Sequence, residues 1–328
     1  MATGGANLWQ DRRVLVTGAT GFVGSYLTQT LLDNGADVTT IIRDFRPDSC
    51  FIDEDIFFEV KVVHGDLNDR YLIERTLAEY EIDTVFHLAA QTVVSIANTS
   101  PYSTIDNNIN ITLNLLEAMR TYGKIRHAVI ASSDKAYGEL FPRRKYTEID
   151  ATQGIHPYDV SKSCTDLIAR SYCVTYDMPI AITRCGNIYG GGDMNWSRLI
   201  PNTIRRILKG QLPVVHGSGN ETRDYFYVED CVQAYMLLSE KQAVGPYNFS
   251  TGEEMTVKKV IETLCKVMEV PVMYDTLNDF KAEIYYQWLD STKARKNLGW
   301  LPKYSFAEGL RKTVAWYRNR LAKNYEKV

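Results

Sequence analysis

Tyr158 and Lys162 stand four residues apart in a stretch, 158–176, whose pattern predicts a long helix, so both side chains fall on one face, a turn apart. A tyrosine with a pKa of about 10 is a poor base at neutral pH. A lysine ammonium beside it favours the phenolate, which can take a proton from an alcohol while hydride leaves the same carbon. Ser133 supplies a hydroxyl that could hydrogen-bond the reacting oxygen and complete a Ser-Tyr-Lys set. Asp134 and Lys135 follow it directly. Alcohol oxidation needs only the first three groups. The extra acid and amine predict proton chemistry on neighbouring carbons, or else a local ion pair that holds a loop.

Hydride needs an acceptor, and the chain offers a place for one. Thr17-Gly18-Ala19-Thr20-Gly21-Phe22-Val23-Gly24 follows the first apolar run and opens the first helical pattern. Glycines there permit a tight turn and close approach of a diphosphate, and a helix start adds unpaired N–H groups and a positive dipole end. Gly18, Thr20, Gly21, Phe22, Val23 and Gly24 are therefore expected to bind a dinucleotide. A carboxylate at the end of the second strand would select NAD. Here Arg43-Asp44 follows that strand, and Arg43 could pair with a 2′-phosphate, so the reading leans to NADP within NAD(P).

These groups need a scaffold that brings them together. Short β-branched runs at 14–17, 38–42, 60–63, 84–88, 128–131 and 180–183 alternate with helical patterns. The helices are expected near 23–34, at 69–80, at 107–122 with Leu113, Leu116 and Met119 along one side, and at 158–176. Such alternation implies right-handed crossovers and a doubly wound α/β parallel sheet. Active sites in such sheets gather at the carboxyl ends of strands, where Ser133 falls. After about residue 185 strands thin out and prolines and glycines rise, so a smaller C-terminal lobe is expected. The division is drawn at 1–185 and 186–328, with a strand-helix segment near 222–250 returning to the first part. Ser305-Phe306-Ala307-Glu308 reads as a capping box for the last helix.

Composition narrows the classes. The chain has 328 residues, 37 Lys+Arg against 40 Asp+Glu and a net charge of −3, which gives no electrostatic case for nucleic acid or a membrane surface. No apolar run approaches a membrane span and no signal pattern opens the chain, so a cytoplasmic setting is expected. Six scattered cysteines without Cys-x-x-Cys read as reduced thiols, and five isolated histidines predict no metal site.

The Gly-x-x-Gly-x-x-Gly spacing together with Tyr158-x-x-x-Lys162 resembles the extended short-chain dehydrogenase/reductase family. So do His87-Leu88-Ala89-Ala90, Arg184-Cys185-Gly186-Asn187-Ile188-Tyr189-Gly190, Arg223-Asp224-Tyr225 and Leu298-Gly299-Trp300-Leu301-Pro302. The resemblance implies a Rossmann-like fold, a tightly held nicotinamide dinucleotide and nucleotide-sugar substrates. It extends the cofactor contacts to Asp66, Leu67, Leu88, Ala89, Ala90 and Asn108, with Asn108 bridging water or backbone near Lys162. Asn187 and Arg223 are assigned to the sugar diphosphate. Sugar 4,6-dehydratases of this family carry Thr/Ser-Asp-Glu where this chain has Ser133-Asp134-Lys135. The Asp-Lys form is similar to CDP-glucose and inverting UDP-N-acetylglucosamine 4,6-dehydratases. Ala89-Ala90-Gln91 and Gly190-Gly191-Gly192-Asp193 with Arg198-Leu199-Ile200-Pro201 point to the CDP-glucose type, adding Gln91, Arg198 and Leu199 to the substrate contacts. The implied activity is 4,6-dehydration, with Tyr158 as base, Asp134 as acid to the leaving 6-hydroxyl, and Lys135, or a group it positions, as base at C5. A 4-epimerase is the alternative, and a non-catalytic NADP-binding regulator a further one. A homodimer is expected through the 107–122 and 158–176 helices, with Ile109, Leu115, Ile168 and Val174 outside the core stripe.

Overall fold

A computed structural model describes residues 7–277 and 284–325, with side chains up to 321. The first part runs β1 (Arg13–Thr17), α1 (Phe22–Asp33), β2 (Asp37–Ile42), α2 (Cys50–Asp53), β3 (Lys61–His64), α3 (Arg70–Glu79), β4 (Thr84–His87), α4 (Val94–Thr99), α5 (Pro101–Tyr122), β5 (His127–Ala131), a 3-10 turn (Asp134–Tyr137), α6 (Pro157–Thr175) and β6 (Ile180–Cys185). It continues through β7 (Asn187–Tyr189), α7 (Leu199–Leu208), β8 (Val214–His216), β9 (Thr222–Arg223), β10 (Tyr225–Tyr227), α8 (Val228–Glu240), β11 (Gly245–Phe249), β12 (Met255–Thr256), α9 (Val257–Met268), β13 (Asp275–Leu277), α10 (Thr292–Leu298) and α11 (Phe306–Tyr325).

Among the described residues a seven-stranded sheet has the order β11-β6-β5-β4-β1-β2-β3, and the strands from β3 to β6 pair in parallel. The order reverses between β1 and β4, which is where a doubly wound sheet opens a crevice at its carboxyl edge. Val14, Leu15 and Val16 are all fully buried, so both faces are covered, as near-continuous apolar runs require. On one face Leu15, Val85, Ile130 and Ile182 pack against Ile111, Leu115, Leu116 and Met119 of α5 and Ala169 of α6.

The chain divides into two compact units. The first runs up to Tyr137 and takes in Ala151–Arg184 and Val232–Tyr247; the second comprises Gly138–Asp150, Cys185–Cys231 and the chain from Asn248 onward. Within the second, Phe226 and Phe249 meet Trp300 edge-on, and Asp230 accepts the backbone N–H groups of Lys303 and Tyr304. Ser305 and Glu308 exchange the hydrogen bonds of a capping box at the start of α11.

Three expectations need correction. α5 begins at Pro101, not at 107: Pro101 takes the first helical position, where a missing N–H costs nothing, and the polar first turn hides this start from an apolar-period reading. The inward face of α5 is Ile111, Leu115, Leu116 and Met119, whereas Leu113 points outward. Leu115 is therefore core within one chain, and Ile168 also packs against that core, so neither counts toward a second apolar face. The first unit takes in Val232–Tyr247, and Gly138–Asp150 belongs to the second.

Candidate active site

Backbone geometry makes the glycine loop what it is. Gly18 sits at φ +75°, and a Cβ there would lie 2.7 Å from the backbone N of Ala89. A Cβ on Gly24 would fall 2.0 Å from the carbonyl oxygen of Gly18, so α1 can leave the loop this tightly only from a glycine. Thr20, Gly21, Phe22 and Val23 complete the turn. Gly21 is the N-cap of α1, with no side-chain cap and no acid in the first turn. The same packing brings Leu88, Ala89 and Ala90 beside the loop, and Leu88 N–H donates to Thr17 O. This cradle fits a dinucleotide diphosphate: a narrow approach to backbone N–H groups with no competing anion.

At the carboxyl end of β2, Arg43 donates from Nε to Asp44 at 2.7 Å and lies 3.7 Å from Asp66. The Asp44 hydrogen bond holds its guanidinium further toward the charged form. Asp66 also receives the backbone N–H of Asn68. Leu67 belongs to the hydrophobic core with Leu15 and Val63.

Lys162 is buried in α6 and donates from Nζ to the carbonyl oxygen of Ala131, at the end of β5, at 2.8 Å. Burial lowers its pKa to about 8, and Asp166 one turn on works against that shift. Tyr158 lies one turn earlier on the same face and is also buried. Ser133 lies two residues beyond the end of the strand that Lys162 grips. Its hydroxyl donates to Asp134 at 3.1 Å and accepts the N–H of Lys135 at 3.2 Å, winding the 3-10 turn around itself. Asp134 is 3 % exposed and Lys135 half-buried.

Asn108 bridges backbone beside Lys162. Its amide exchanges two hydrogen bonds with the backbone of Gln91 and donates to Ser161, which donates to the carbonyl of Tyr158. It steadies the first turn of α6. Gln91 itself accepts the N–H of Val93 on its side-chain oxygen, closing a local turn.

Sequence reasoning missed a relay beneath this site. Ala89 N–H donates to Thr17 Oγ1, which meets His87 Nδ1 at 2.7 Å; His87 Nε2 meets Thr112 Oγ1, which donates to Asn108 O. That donor order puts the ring proton on Nε2. Burial, with Lys162 nearby, pushes His87 down to a pKa of about 3, so it stays neutral. A lone histidine in an apolar strand carries no sequence signal of this.

In the second unit, Arg223 is buried and donates to the carbonyls of Thr222 and Tyr285. Asn187 is half-buried and its backbone N–H donates to Asp224 O. Arg198 pairs with Asp193 at 3.0 Å and stays partly solvated. Leu199, the first residue of α7, is partly buried and packs against the cluster of Val215, Ile261 and Cys265. Gln287 carries no signal in the sequence: it is fully buried, and among the described residues neither end of its side-chain amide has a hydrogen-bond partner.

A family model described as GDP-mannose 4,6 dehydratase matches residues 15–313. A trifunctional UDP-glucose 4,6-dehydratase/epimerase/reductase of Arabidopsis thaliana is 31% identical over 94% of this chain and 47% of its own length. The chain thus spans about half the length of the first curated relatives it matches. The CDP-glucose 4,6-dehydratase of Salmonella typhimurium is 28% identical, covering 95% of this chain and 92% of the relative. Among solved structures, UDP-glucose 4-epimerase of Thermotoga maritima with UDP-glucose superposes with a TM-score of 0.87, 29% identity and coverage of 94% and 99%. The dTDP-glucose 4,6-dehydratase DesIV of Streptomyces venezuelae, with NAD bound, gives 0.86, 28%, 95% and 98%.

Proposed function

The chain belongs to the GDP-mannose 4,6-dehydratase family of extended short-chain dehydrogenases/reductases, and we propose that it acts as a nucleotide-sugar 4,6-dehydratase. One observation carries the reading: a buried carboxyl group, Asp134, joined to the Ser133 hydroxyl on the turn that ends β5. An epimerase has no use for an acid there.

A nicotinamide dinucleotide held by the Gly18–Gly24 loop would supply the hydride acceptor for C4 and the hydride donor for C6. Tyr158 accepts the 4-hydroxyl proton, with Ser133 bonded to the same oxygen and the Lys162 ammonium favouring the phenolate. The C4 ketone acidifies C5–H, and Lys135, or a group it positions, takes that proton. Asp134 protonates the 6-hydroxyl, which leaves as water. The C5 proton then returns as C6 is reduced, and the proton gained by Tyr158 balances the one given up by Asp134. Gly18 to Gly24, Asp66 and Leu88 to Ala90 are assigned to the dinucleotide. Asn187, Arg198 and Arg223 are assigned to the sugar diphosphate. The residue type of Arg43 supports NADP. Its pairing with Asp44 and Asp66 supports NAD instead, because a 2′-phosphate would face two carboxylates, and we take NAD as the better reading.

The exposed Tyr102, Leu113, Leu167 and Val174 on α5 and α6 support a homodimer, which a sedimentation mass would check. No helix among the described residues is long and apolar enough to cross a membrane, and no disulfide joins the cysteines; both features fit the cytoplasm.

A panel of CDP-, UDP-, GDP- and dTDP-hexoses, followed by mass spectrometry, tests the reading through loss of one water. Asp134→Asn should slow that loss by about 10²–10⁴-fold while reduced nicotinamide still accumulates, and Tyr158→Phe should stop both steps. A C4 epimer with every oxygen retained would instead establish the 4-epimerase reading, which the Thermotoga likeness favours.

A further inference from the structure

Arg184 is the last residue but one of β6 and has no solvent exposure, and each of its three guanidinium nitrogens donates a hydrogen bond. Nε and Nη2 donate to the two oxygens of Asp166 at 2.7 and 2.6 Å, while Nη1 donates to the Tyr137 hydroxyl at 2.8 Å. The guanidinium carbon also lies 4.7 Å from the centre of the Tyr137 ring. Both partners are fully or almost fully buried. Asp166 sits on α6 at the position that continues Tyr158 and Lys162 by one more turn. Tyr137 ends the 3-10 turn that carries Asp134 and Lys135. A second tie runs in parallel: Ser163 of α6 and the N–H of Gln153 both donate to Ala136 O in that turn.

Resting on the dehydratase reading, we propose that Arg184 is a positioning residue for elimination: held by Asp166 on the Tyr158–Lys162 helix, it grips Tyr137 and fixes the Asp134–Lys135 turn against that helix. A buried bidentate pair alone would be matched by apolar packing, so stability is a weak reason for a charge here. Geometry is the stronger one. The planar fork has donors in fixed directions and can span two elements at once, which no apolar side chain can do. The two halves of the reaction draw on different parts of the clamp. Hydride transfer from C4 uses α6 and Ser133. Water loss also needs Asp134 and Lys135 in register with the same sugar, and a displacement of about 1 Å can cost 10²-fold.

Two substitutions release the turn while keeping the ion pair. Tyr137→Phe removes the accepting hydroxyl, and Arg184→Lys keeps a cation for Asp166 but cannot reach both partners. Each should slow water loss by about 10-fold while reduced-nicotinamide formation changes by less than about 2-fold. The double variant should be no slower than the worse single one, because both act through one contact. Amide hydrogen exchange across 133–137 should quicken in each variant. Equal slowing of both steps, additive effects in the double variant, or unchanged exchange across 133–137 would overturn the proposal. If Arg184→Lys does not fold, Tyr137→Phe decides alone. The exchange measurement tests the clamp without substrate. The product of the unaltered enzyme tests the dehydratase reading, so the two can fail separately.

Discussion

The loop after β1 and the loop after β7 both follow parallel strands and both carry clustered glycines, yet they differ in what their residues are available to do. In Gly18–Gly24 the residue types are demanded by backbone: two of the glycines face carbonyl or amide atoms at distances no Cβ could occupy. The side chains there make few commitments. After β7 the reverse holds. Arg198 is paired with Asp193, whose carbonyl takes the Tyr317 hydroxyl, and Leu199 is drawn into packing. Backbone-made sites carry their purpose in local sequence. Side-chain-made sites depend on partners that the fold supplies, from five residues away at Asp193 to 124 residues between Asp193 and Tyr317.

The sharpest way to break this contrast is Gly24→Val. It should destabilise the fold by about 1–3 kcal/mol through overpacking and abolish dinucleotide retention. A variant that melts normally and keeps its cofactor would show that backbone contact does not govern the loop. In the second region, the effect should depend on burial. Arg198→Met should raise the Michaelis constant for the nucleotide sugar about 10-fold, as loss of a charge-assisted hydrogen bond does, with an unchanged melting temperature. Arg223→Met should lower the melting temperature as well, because its buried partners Thr222 O and Tyr285 O lose a donor. Calorimetry and titration together separate the two.

Beneath the first region, His87 sets an acid limit. Its folded pKa of about 3 lies below the ordinary 6.5, so the unfolded chain binds more protons between those values. Its contribution is complete above pH 6.5 and is lost as pH falls toward 3, by up to about 1.4 kcal/mol per pH unit. Denaturant midpoints measured across that window should fall accordingly, and a flat profile would place the ring in water. The smallest effect is expected at Arg43. With its guanidinium held by Asp44 and Asp66, Arg43→Ala should change the affinities for NAD and NADP by no more than about threefold. A selective loss of NADP binding would assign Arg43 to the 2′-phosphate.

Sequence alone determined the alternating strands and helices, the glycine loop, the Tyr158–Lys162 face and the place of Ser133 at a strand end. Each follows from short-range rules: periods of two and 3.6, sterics at Cβ, and the carboxyl edge of a parallel sheet. The early start of α5 escaped because its first turn is polar. The tertiary structure alone decided that Asn108 serves Gln91 and Ser161, that His87 is neutral, and that Arg184 joins Asp166 to Tyr137. Those outcomes turn on which polar groups meet once water is excluded. A buried donor must find its acceptor wherever the fold has put one, and the sequence distance between them, 47 residues from Tyr137 to Arg184, leaves no local trace.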